Sequence, residues 1–145
     1  MEVFIENEAN STVKHFHNEK TLTLTGSAIV SRAYPFPYGF VLNTDATDGD
    51  NVDCFVLTTR RLLTGQIVEC KPLALMEQFE DGDEDHKVLA VIPGAELPFN
   101  DSVEQVLVDF VSHVFDHIPG KRIIVGNFLG LEATLNYLQR HKTRV

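Results

Sequence analysis

The sequence predicts an α+β fold that is mainly β, with a closed or strongly curved sheet and α-helices packed outside it. In the first two-thirds of the chain, short segments rich in Val, Ile and Leu are separated by Asp, Gly, Asn and Pro, with no helical pattern between them. In the last third, apolar residues recur at three- and four-residue steps, which is typical of amphipathic helices. The length of 145 residues predicts a single domain over 1–145.

Five strands are predicted in the first two-thirds. Residues 21–25 alternate Thr and Leu with period two, which predicts a half-buried strand. The other predicted strands are 38–42, 52–58, 65–75 and 87–92. Turn-forming residues separate these runs, so each is expected to be short.

Two helices and a further strand are predicted in the last third. Ser102 and Gln105 have the spacing of a capping box, and Pro119-Gly120 would end the helix that follows. The apolar positions of this helix are Val103, Leu107, Phe110, Val111, Val114 and Ile118. A strand at 122–128, a closing helix carrying Leu131, Leu135 and Leu138, and a basic tail at 141–144 complete the prediction.

Composition limits the classes of function. The chain has 21 acidic and 12 basic residues and a formal net charge of −9, so nucleic acid is an unsuitable partner. Cys54 and Cys70 form no CxxC pair, which argues against a disulfide scaffold or a zinc knuckle. No signal peptide is visible and no apolar stretch approaches the ~20 residues of a membrane span, so we expect a cytoplasmic protein with no membrane partner.

Eight of the acidic residues lie in two short windows, residues 48–53 and 80–85. Carboxylates this close repel one another, and divalent cations remove that cost because hard cations prefer oxygen ligands. Neither window has the Gly at position six and Glu at position twelve of an EF-hand. The alternative interpretation is that both windows are solvated turns.

Longer runs around these windows resemble a known family. The run Tyr34-Pro35-Phe36-Pro37-Tyr38-Gly39-Phe40, followed by Asp48-Gly49-Asp50-Asn51-Val52-Asp53, resembles the family I soluble inorganic pyrophosphatases. Cys70-Lys71-Pro72 and then Glu80-Asp81-Gly82-Asp83-Glu84-Asp85-His86-Lys87 are similar to the same family in order and spacing. The resemblance is good over residues 34–91, looser over 3–14 and weak after residue 92.

The resemblance implies a five-stranded, OB-like closed β-barrel with flanking α-helices. It also implies an enzyme that hydrolyses pyrophosphate to two phosphates with a metal-activated water and several Mg²⁺ ions, with Mn²⁺ as an alternative. Association into a homo-oligomer through the helix near His117 is a further expectation from the family.

Roles for individual residues follow from the resemblance alone. The implied metal ligands are Asp48, Asp53, Glu80 and Asp85, with Asp81 close by. Asp50 would accept the proton of the attacking water, and Glu6 would be an outer acidic residue. Lys14, Tyr38 and Lys87 would contact phosphate oxygens.

The chain departs from the family pattern where phosphate is usually held. Gly26 occupies the place of a phosphate-binding arginine, and Phe16 lies where an acid is common. Ile118-Pro119 stands where a Tyr-Lys pair is expected. The cations that could substitute are Arg32, Lys71, Lys121 and Arg122. Three interpretations stay open: a weak pyrophosphatase, an enzyme for another phosphate ester or anhydride, and a metal- or phosphate-binding relic.

Other reactive residue types favour structural roles. His113 and His117 are four residues apart but lack the HExxH order of a zinc site, so we expect them to lie at a surface or interface. His15 and His17 are expected in exposed turns. Cys54 follows Asp53 directly in the predicted strand, so its side chain should lie on the opposite face, and we expect it in the core. No GxxxxGK[ST] loop is present, which excludes a nucleotide P-loop.

Overall fold

A computed structural model of the chain describes residues 1–143 and contains ten β-strands and two α-helices. The strands are β1 Glu2–Asn7, β2 Val13–Asn18, β3 Thr23–Ile29, β4 Tyr38–Val41, β5 Val52–Val56, β6 Ile67–Glu69, β7 Lys71–Glu80, β8 Asp83–Glu84, β9 Lys87–Val91 and β10 Ile123–Leu129. The helices are α1 Asp101–His113 and α2 Leu131–Arg140. The last part of the predicted basic tail, at Arg144, lies outside the described residues.

The barrel is a ring of the five strands β1, β4, β5, β9 and β7, which the short strand β6 closes. The strand β1 pairs with β4, β4 with β5, and β5 with β9 in the one parallel pairing of the described sheet. The strand β9 then pairs with β7, which is separated from β6 by Cys70 alone. Because β6 pairs with β1 and the Cys70 N–H donates to Met1 O at 2.8 Å, the path of strands returns to its start. The predicted five-stranded barrel with flanking helices is therefore confirmed.

The barrel strands are buried on both faces, which explains their continuous apolar runs. On β5, Cys54 belongs to a hydrophobic cluster on one face, whereas Phe55 belongs to a second cluster on the opposite face. The second cluster includes Leu107, Phe110 and Val111 of α1. The helix α1 thus covers the outside of the barrel.

The predicted half-buried strand at 21–25 is wrong in position and in burial. The chain turns at 19–22 because Asn18 Oδ1 accepts the N–H groups of Lys20 and Thr21, at 3.0 and 3.1 Å. Strand β3 begins only at Thr23 and pairs with β2 in a separate two-stranded sheet. Strand β3 is exposed along most of its length, and Leu24 remains 55% exposed and Ile29 65%.

The predicted boundaries of α1 also need correction. The side chain of Asn100 caps the helix by accepting the Val103 N–H at 3.1 Å, so Ser102 and Gln105 do not form its capping box. The helix ends at His113 rather than at Pro119, and Ile118 is 41% exposed beyond it. The strand predicted at 122–128 and the closing helix are confirmed as β10 and α2. Strands β1, β2 and β8 were not predicted, and the strand predicted at 65–75 is divided at Cys70 into β6 and β7.

Candidate active site

One cavity of about 240 Å³ at the edge of the barrel brings together nine residues to which the resemblance gives a role in the site. These residues are Glu6, Lys14, Tyr38, Asp48, Asp50, Asp53, Glu80, Asp85 and Lys87. Lys121 lines the cavity as well, so that its wall contains six carboxylates and three lysines. With all groups ionised the wall carries an excess of three negative charges, so it repels an anion unless cations are present.

The centre of the cavity is fixed by strand register. The parallel neighbours β5 and β9 pair Asp53 directly with Lys87. Lys87 Nζ lies 2.6 Å from Asp53 Oδ2 and 2.9 Å from Asp85 Oδ2. Burial alone would lower the pKa of Lys87, but the two carboxylates outweigh it and raise that pKa. Lys87 therefore stays charged between the two acids.

The negative charge of Asp85 is only partly balanced by Lys87. Its pKa is raised to about 7, mainly because burial disfavours the carboxylate, and the charge of Asp53 adds to the increase against the opposing effect of Lys87. Two partly buried acids share one ammonium. The pair therefore retains attraction for a further cation.

The first acidic window forms a tight loop between β4 and β5. The Asp50 N–H donates to Asp48 Oδ1 at 3.0 Å, and Asp50 O accepts the Ala46 N–H at 2.7 Å. Gly49 has φ +86°, a conformation that side-chain-bearing residues rarely adopt. The pKa of Asp50 is raised by partial burial and by the charges of Asp48 and Asp53. A higher pKa makes this carboxylate a stronger base.

Glu19, which sequence reasoning missed, supports this loop from the hairpin of β2 and β3. Its Oε1 accepts the N–H of Asn51 at 2.9 Å. Burial raises the pKa of Glu19 to about 7, and the charges of Asp50 and Asp53 contribute. The two partners are 32 residues apart, and no local pattern signals such a contact.

Lys14 and Lys87 both approach the ring of Tyr38. Their Nζ atoms are 5.6 and 5.7 Å from its centroid. Burial lowers the pKa of Lys14, with Glu6 and Asp53 opposing the change, and burial raises the pKa of Tyr38 well above its ordinary value. The cavity thus presents two lysine side chains and a protonated phenol.

Glu6 lies in the inner wall of the cavity and is only 8% exposed. Its Oε2 is 3.0 Å from His17 Nδ1. His17 was expected in an exposed turn, but it lies on β2 with a side chain that is 4% exposed, so this expectation is wrong. His15 is also on β2, where its Nδ1 is 2.7 Å from Ser27 Oγ. Glu6 and His17 form a buried polar pair behind the cavity.

Two residues that depart from the family pattern, Phe16 and Gly26, lie on the same face of the hairpin of β2 and β3. Phe16 and Gly26 are directly paired across β2 and β3, so their side-chain directions coincide. Phe16 lines the cavity and is 42% exposed. A Cβ atom at Gly26 would have no neighbour within 4 Å. This part of the cavity mouth is therefore open where the family carries an arginine.

The donor set suits a hard divalent cation. Besides the carboxylates, the buried Gln78 Oε1 has no hydrogen-bond partner, while Gln78 Nε2 is 3.5 Å from Asp85 Oδ2. An orphaned buried acceptor beside a carboxylate is an arrangement that a cation or its water would satisfy. Across residues 1–143, no three such side chains are already gathered closely enough to hold an ion. Binding of an ion by three or more of these side chains therefore requires the carboxylates to come closer together.

Other candidate residues lie outside the cavity. Cys54 is fully buried, as predicted, and burial raises the pKa of its thiol. Asp81 Oδ1 accepts the Arg122 N–H at 2.9 Å and does not line the cavity. His113 and His117 have different hydrogen-bond partners. His113 Nδ1 is 2.8 Å from Asp116 Oδ2, and His117 Nδ1 is 2.6 Å from Ser31 Oγ.

Comparisons with known proteins agree with this fold. The family model for inorganic pyrophosphatase matches residues 3–119, well beyond the segment that carries the motifs. The inorganic pyrophosphatase of Methanosarcina acetivorans is 32% identical over 98% of this chain and 90% of its own length. That of Agrobacterium fabrum is 30% identical over 82% of this chain and 78% of its own length.

Solved structures give the same result. A Coxiella burnetii inorganic pyrophosphatase superposes with a TM-score of 0.80 at 30% identity, covering 97% of this chain and 92% of that one. The Anaplasma phagocytophilum structure, named an inorganic phosphatase, gives a TM-score of 0.86 at 27% identity, over 97% and 90% of the two chains. The barrel is that of a hydrolase that acts on phosphoanhydride bonds. The chain belongs to the inorganic pyrophosphatase family.

Proposed function

We propose that this protein hydrolyses inorganic pyrophosphate to two phosphates in the carboxylate cavity, with divalent cations as cofactor. The observation that carries the proposal is the pairing of Asp53 and Asp85 around Lys87 in a cavity with an excess of carboxylates. A polyanion does not enter such a cavity unaided. When bound, divalent cations supply the positive charge that admits it and make water at the site more acidic.

Four carboxylates are the proposed cation ligands: Asp48, Asp53, Glu80 and Asp85. They come from a loop, a strand and the two ends of the second acidic window, and they face one cavity. Carboxylate oxygen favours Mg²⁺, and Mn²⁺ accepts the same ligands. We infer Mg²⁺ as the natural cofactor on this chemistry.

Asp50 is the proposed general base. It lies beside the proposed ligands Asp48 and Asp53 and is more exposed to solvent than Lys14 or Lys87. Water would attack one phosphorus atom, its proton would pass to Asp50, and the bond from that phosphorus to the bridging oxygen would break. The departing phosphate carries the electron pair of that bond, and nearby ammonium groups stabilise the charge.

The phosphate-binding groups in this proposal are Lys14, Lys87 and Tyr38. Their positions around one aromatic ring allow two ammonium groups and a phenol O–H to face the same ligand. Glu6 is proposed to act indirectly, as an acid behind the cation ligands, because His17 already engages its carboxylate.

The test is phosphate release from pyrophosphate by the purified full-length chain, with Mg²⁺ and with an excess of chelator. We expect turnover with Mg²⁺ that the chelator abolishes and added Mg²⁺ restores. Unchanged release in chelator would contradict a divalent cofactor. Cation binding without release would identify a binding relic.

A second substrate class is favoured by the open mouth at Phe16 and Gly26. Without the arginine, the cavity is not closed on that side, and the exposed Phe16 ring offers a surface for an organic group. An organic diphosphate or phosphate ester is therefore a second candidate substrate. A panel of nucleotides and sugar phosphates tests it, and faster turnover of any of these than of pyrophosphate would establish the alternative.

We also infer that the chain acts as one domain over 1–145, in the cytoplasm, as a homo-oligomer. The partly exposed apolar residues Val106, on α1, and Ile118, just after it, support association through this region. None of the helices within residues 1–143 has the length and apolar character to cross a bilayer. Light scattering after size exclusion tests the oligomer, and a monomeric mass would contradict it.

A further inference from the structure

Lys121 stands out among the four cations that could replace the missing phosphate-binding groups. Its side chain lines the cavity, whereas those of Arg32, Lys71 and Arg122 do not. Arg32 instead borders a separate shallow pocket beside α1, where its Nη1 donates to its neighbour Ser31 O at 3.1 Å. Among the described residues, the structure therefore selects one of the four candidates.

The backbone explains why Lys121 reaches the cavity. The chain turns after α1, with Gly120 at φ +80°, and enters β10, whose first residue Ile123 is paired with Glu80 of β7. The Asp81 N–H donates to Arg122 O at 2.8 Å, and Asp81 Oδ1 accepts the Arg122 N–H at 2.9 Å. These two hydrogen bonds fix the residue after Lys121 against the second acidic window. The side chain of Lys121 is thereby held beside Glu80.

The contacts of Lys121 differ from those of Lys87. Its ammonium pairs with a single carboxylate, Glu80 Oε1, and lies 4.6 Å from the centroid of the Phe115 ring. Its side chain is 24% exposed, against 6% for Lys87. A partly exposed ammonium with one acidic partner costs little to move. The partner is one of the proposed cation ligands, so a bound cation competes with Lys121 for it.

We propose that Lys121 is a substrate-binding residue that takes the place of the cation absent at Ile118-Pro119, and that Glu80 holds it until a divalent cation binds. Once a cation takes Glu80, the ammonium is free to contact an anionic phosphate oxygen. The cost of removing the lysine from its carboxylate is then met by cation binding. This inference rests on the proposed function of the same cavity.

The experiment compares Lys121→Met with the adjacent control Arg122→Met, whose exposed side chain does not line the cavity. Titration calorimetry measures the binding of Mg²⁺ alone, and then of methylenediphosphonate, a non-hydrolysable diphosphate, in saturating Mg²⁺. We expect Lys121→Met to weaken methylenediphosphonate at least tenfold and to strengthen Mg²⁺ a few-fold, because Glu80 loses its competitor. The control should stay within twofold of wild type for both ligands.

If Lys121→Met binds methylenediphosphonate as tightly as the wild type does, the proposal is overturned. An equal loss of affinity in Arg122→Met would overturn it too. If Lys121→Met unfolds at a clearly lower temperature than the wild type, Lys121→Arg is used in its place. The arginine variant should bind the diphosphonate within a few-fold of wild type, and a loss equal to that of a folded Lys121→Gln would contradict the proposal. The pyrophosphatase activity of the wild type is measured separately. Its absence would refute the proposed function, whereas the two calorimetric affinities would still decide the role of Lys121.

Discussion

Lys87 of β9 and Asp53 of β5 are directly paired in neighbouring parallel strands, and Lys87 Nζ meets Asp53 Oδ2 at 2.6 Å. A proposed phosphate-binding group and a proposed cation ligand are therefore fixed relative to each other by backbone hydrogen bonds. Because Lys87 also contacts Asp85 at 2.9 Å, the second acidic window is tied to the same point. The position of the site thus depends on the register of the barrel more than on the conformation of its loops.

Replacement of Asp50 by asparagine should slow the reaction far more than it weakens cation binding. A general base contributes roughly 10²–10⁴-fold to rate, and we expect a loss in kcat of that size. The affinity for Mg²⁺ should change only a few-fold, because the asparagine side chain keeps an oxygen donor. Steady-state kinetics and calorimetry measure the two quantities.

The matched control is Asp45→Asn, an exposed acid in the same loop that does not line the cavity. It should leave kcat within about twofold, since no proton transfer depends on it. Equal losses of kcat and of Mg²⁺ affinity in Asp50→Asn would contradict the assignment of Asp50 as base.

Cation affinity should rise with pH up to about 7. The pKa of Asp85 is raised to about 7 by burial, so below this pH the carboxyl is protonated in the cation-free protein and a cation must displace the proton. Affinity should fall by up to about tenfold for each pH unit below 7 and level off above it. Calorimetry at pH 6 and pH 8, in buffers of different ionisation enthalpy, measures both affinity and proton release.

In Asp85→Asn this pH dependence should be reduced, although the absolute affinity is lower. Equal wild-type affinities at pH 6 and pH 8 would show that Asp85 does not bind a proton in competition with the cation.

Glu19→Gln should be stabilising at neutral pH. The pKa of Glu19 in the folded protein is about 7, above its ordinary value of 4.5, so wild-type stability from this group is highest below pH 4.5 and is lost as the pH rises through 7. Glutamine cannot ionise and still accepts the Asn51 N–H. The half-buried site screens the charge, so we expect a gain of about 1 kcal/mol at pH 8.

Urea unfolding in chelator at pH 5 and pH 8 checks this. The advantage of Glu19→Gln over wild type should grow between the two pH values. The same difference in unfolding free energy at both would mean that Glu19 does not titrate in this window.

Gly26→Arg should improve the binding of pyrophosphate. The position has no neighbour within 4 Å of a Cβ atom and is paired with Phe16, whose side chain lines the cavity. A side chain at residue 26 therefore points to the cavity mouth, where a guanidinium can engage a phosphate oxygen. We expect KM for pyrophosphate to fall several-fold.

Ser27→Arg is the control, because successive residues of a strand face opposite sides. It adds the same charge on the other face of the hairpin, where Ser27 contacts His15. If both variants lower KM equally, the effect is one of net charge and the geometric argument fails.

Much of the site could be predicted from the sequence because its ligands lie in short local windows. Asp48, Asp50 and Asp53 are brought together by one loop and the start of one strand, and Asp85 and Lys87 lie two residues apart. The barrel was predictable for a related reason, since strands buried on both faces give continuous apolar runs.

The remainder depends on contacts between distant segments. Glu19 meets Asn51 across 32 residues, and Lys121 reaches Glu80 only because β10 adds to β7 in a particular register. The strand predicted from the alternation at 21–25 was also wrong, because this segment runs from a turn into the exposed strand β3. His17 was missed because β2 itself carries no apolar alternation that marks a strand.

The most direct test of the central claim is the rate of phosphate release from pyrophosphate with Mg²⁺, measured for the wild type and for Asp53→Asn. Asparagine preserves the shape of the side chain but removes the charge that pairs with Lys87, so circular dichroism should show the same fold for both. We predict magnesium-dependent turnover by the wild type and a loss of about 10²-fold or more in the variant. No turnover by the wild type, or equal turnover by both, would contradict a pyrophosphatase centred on Asp53.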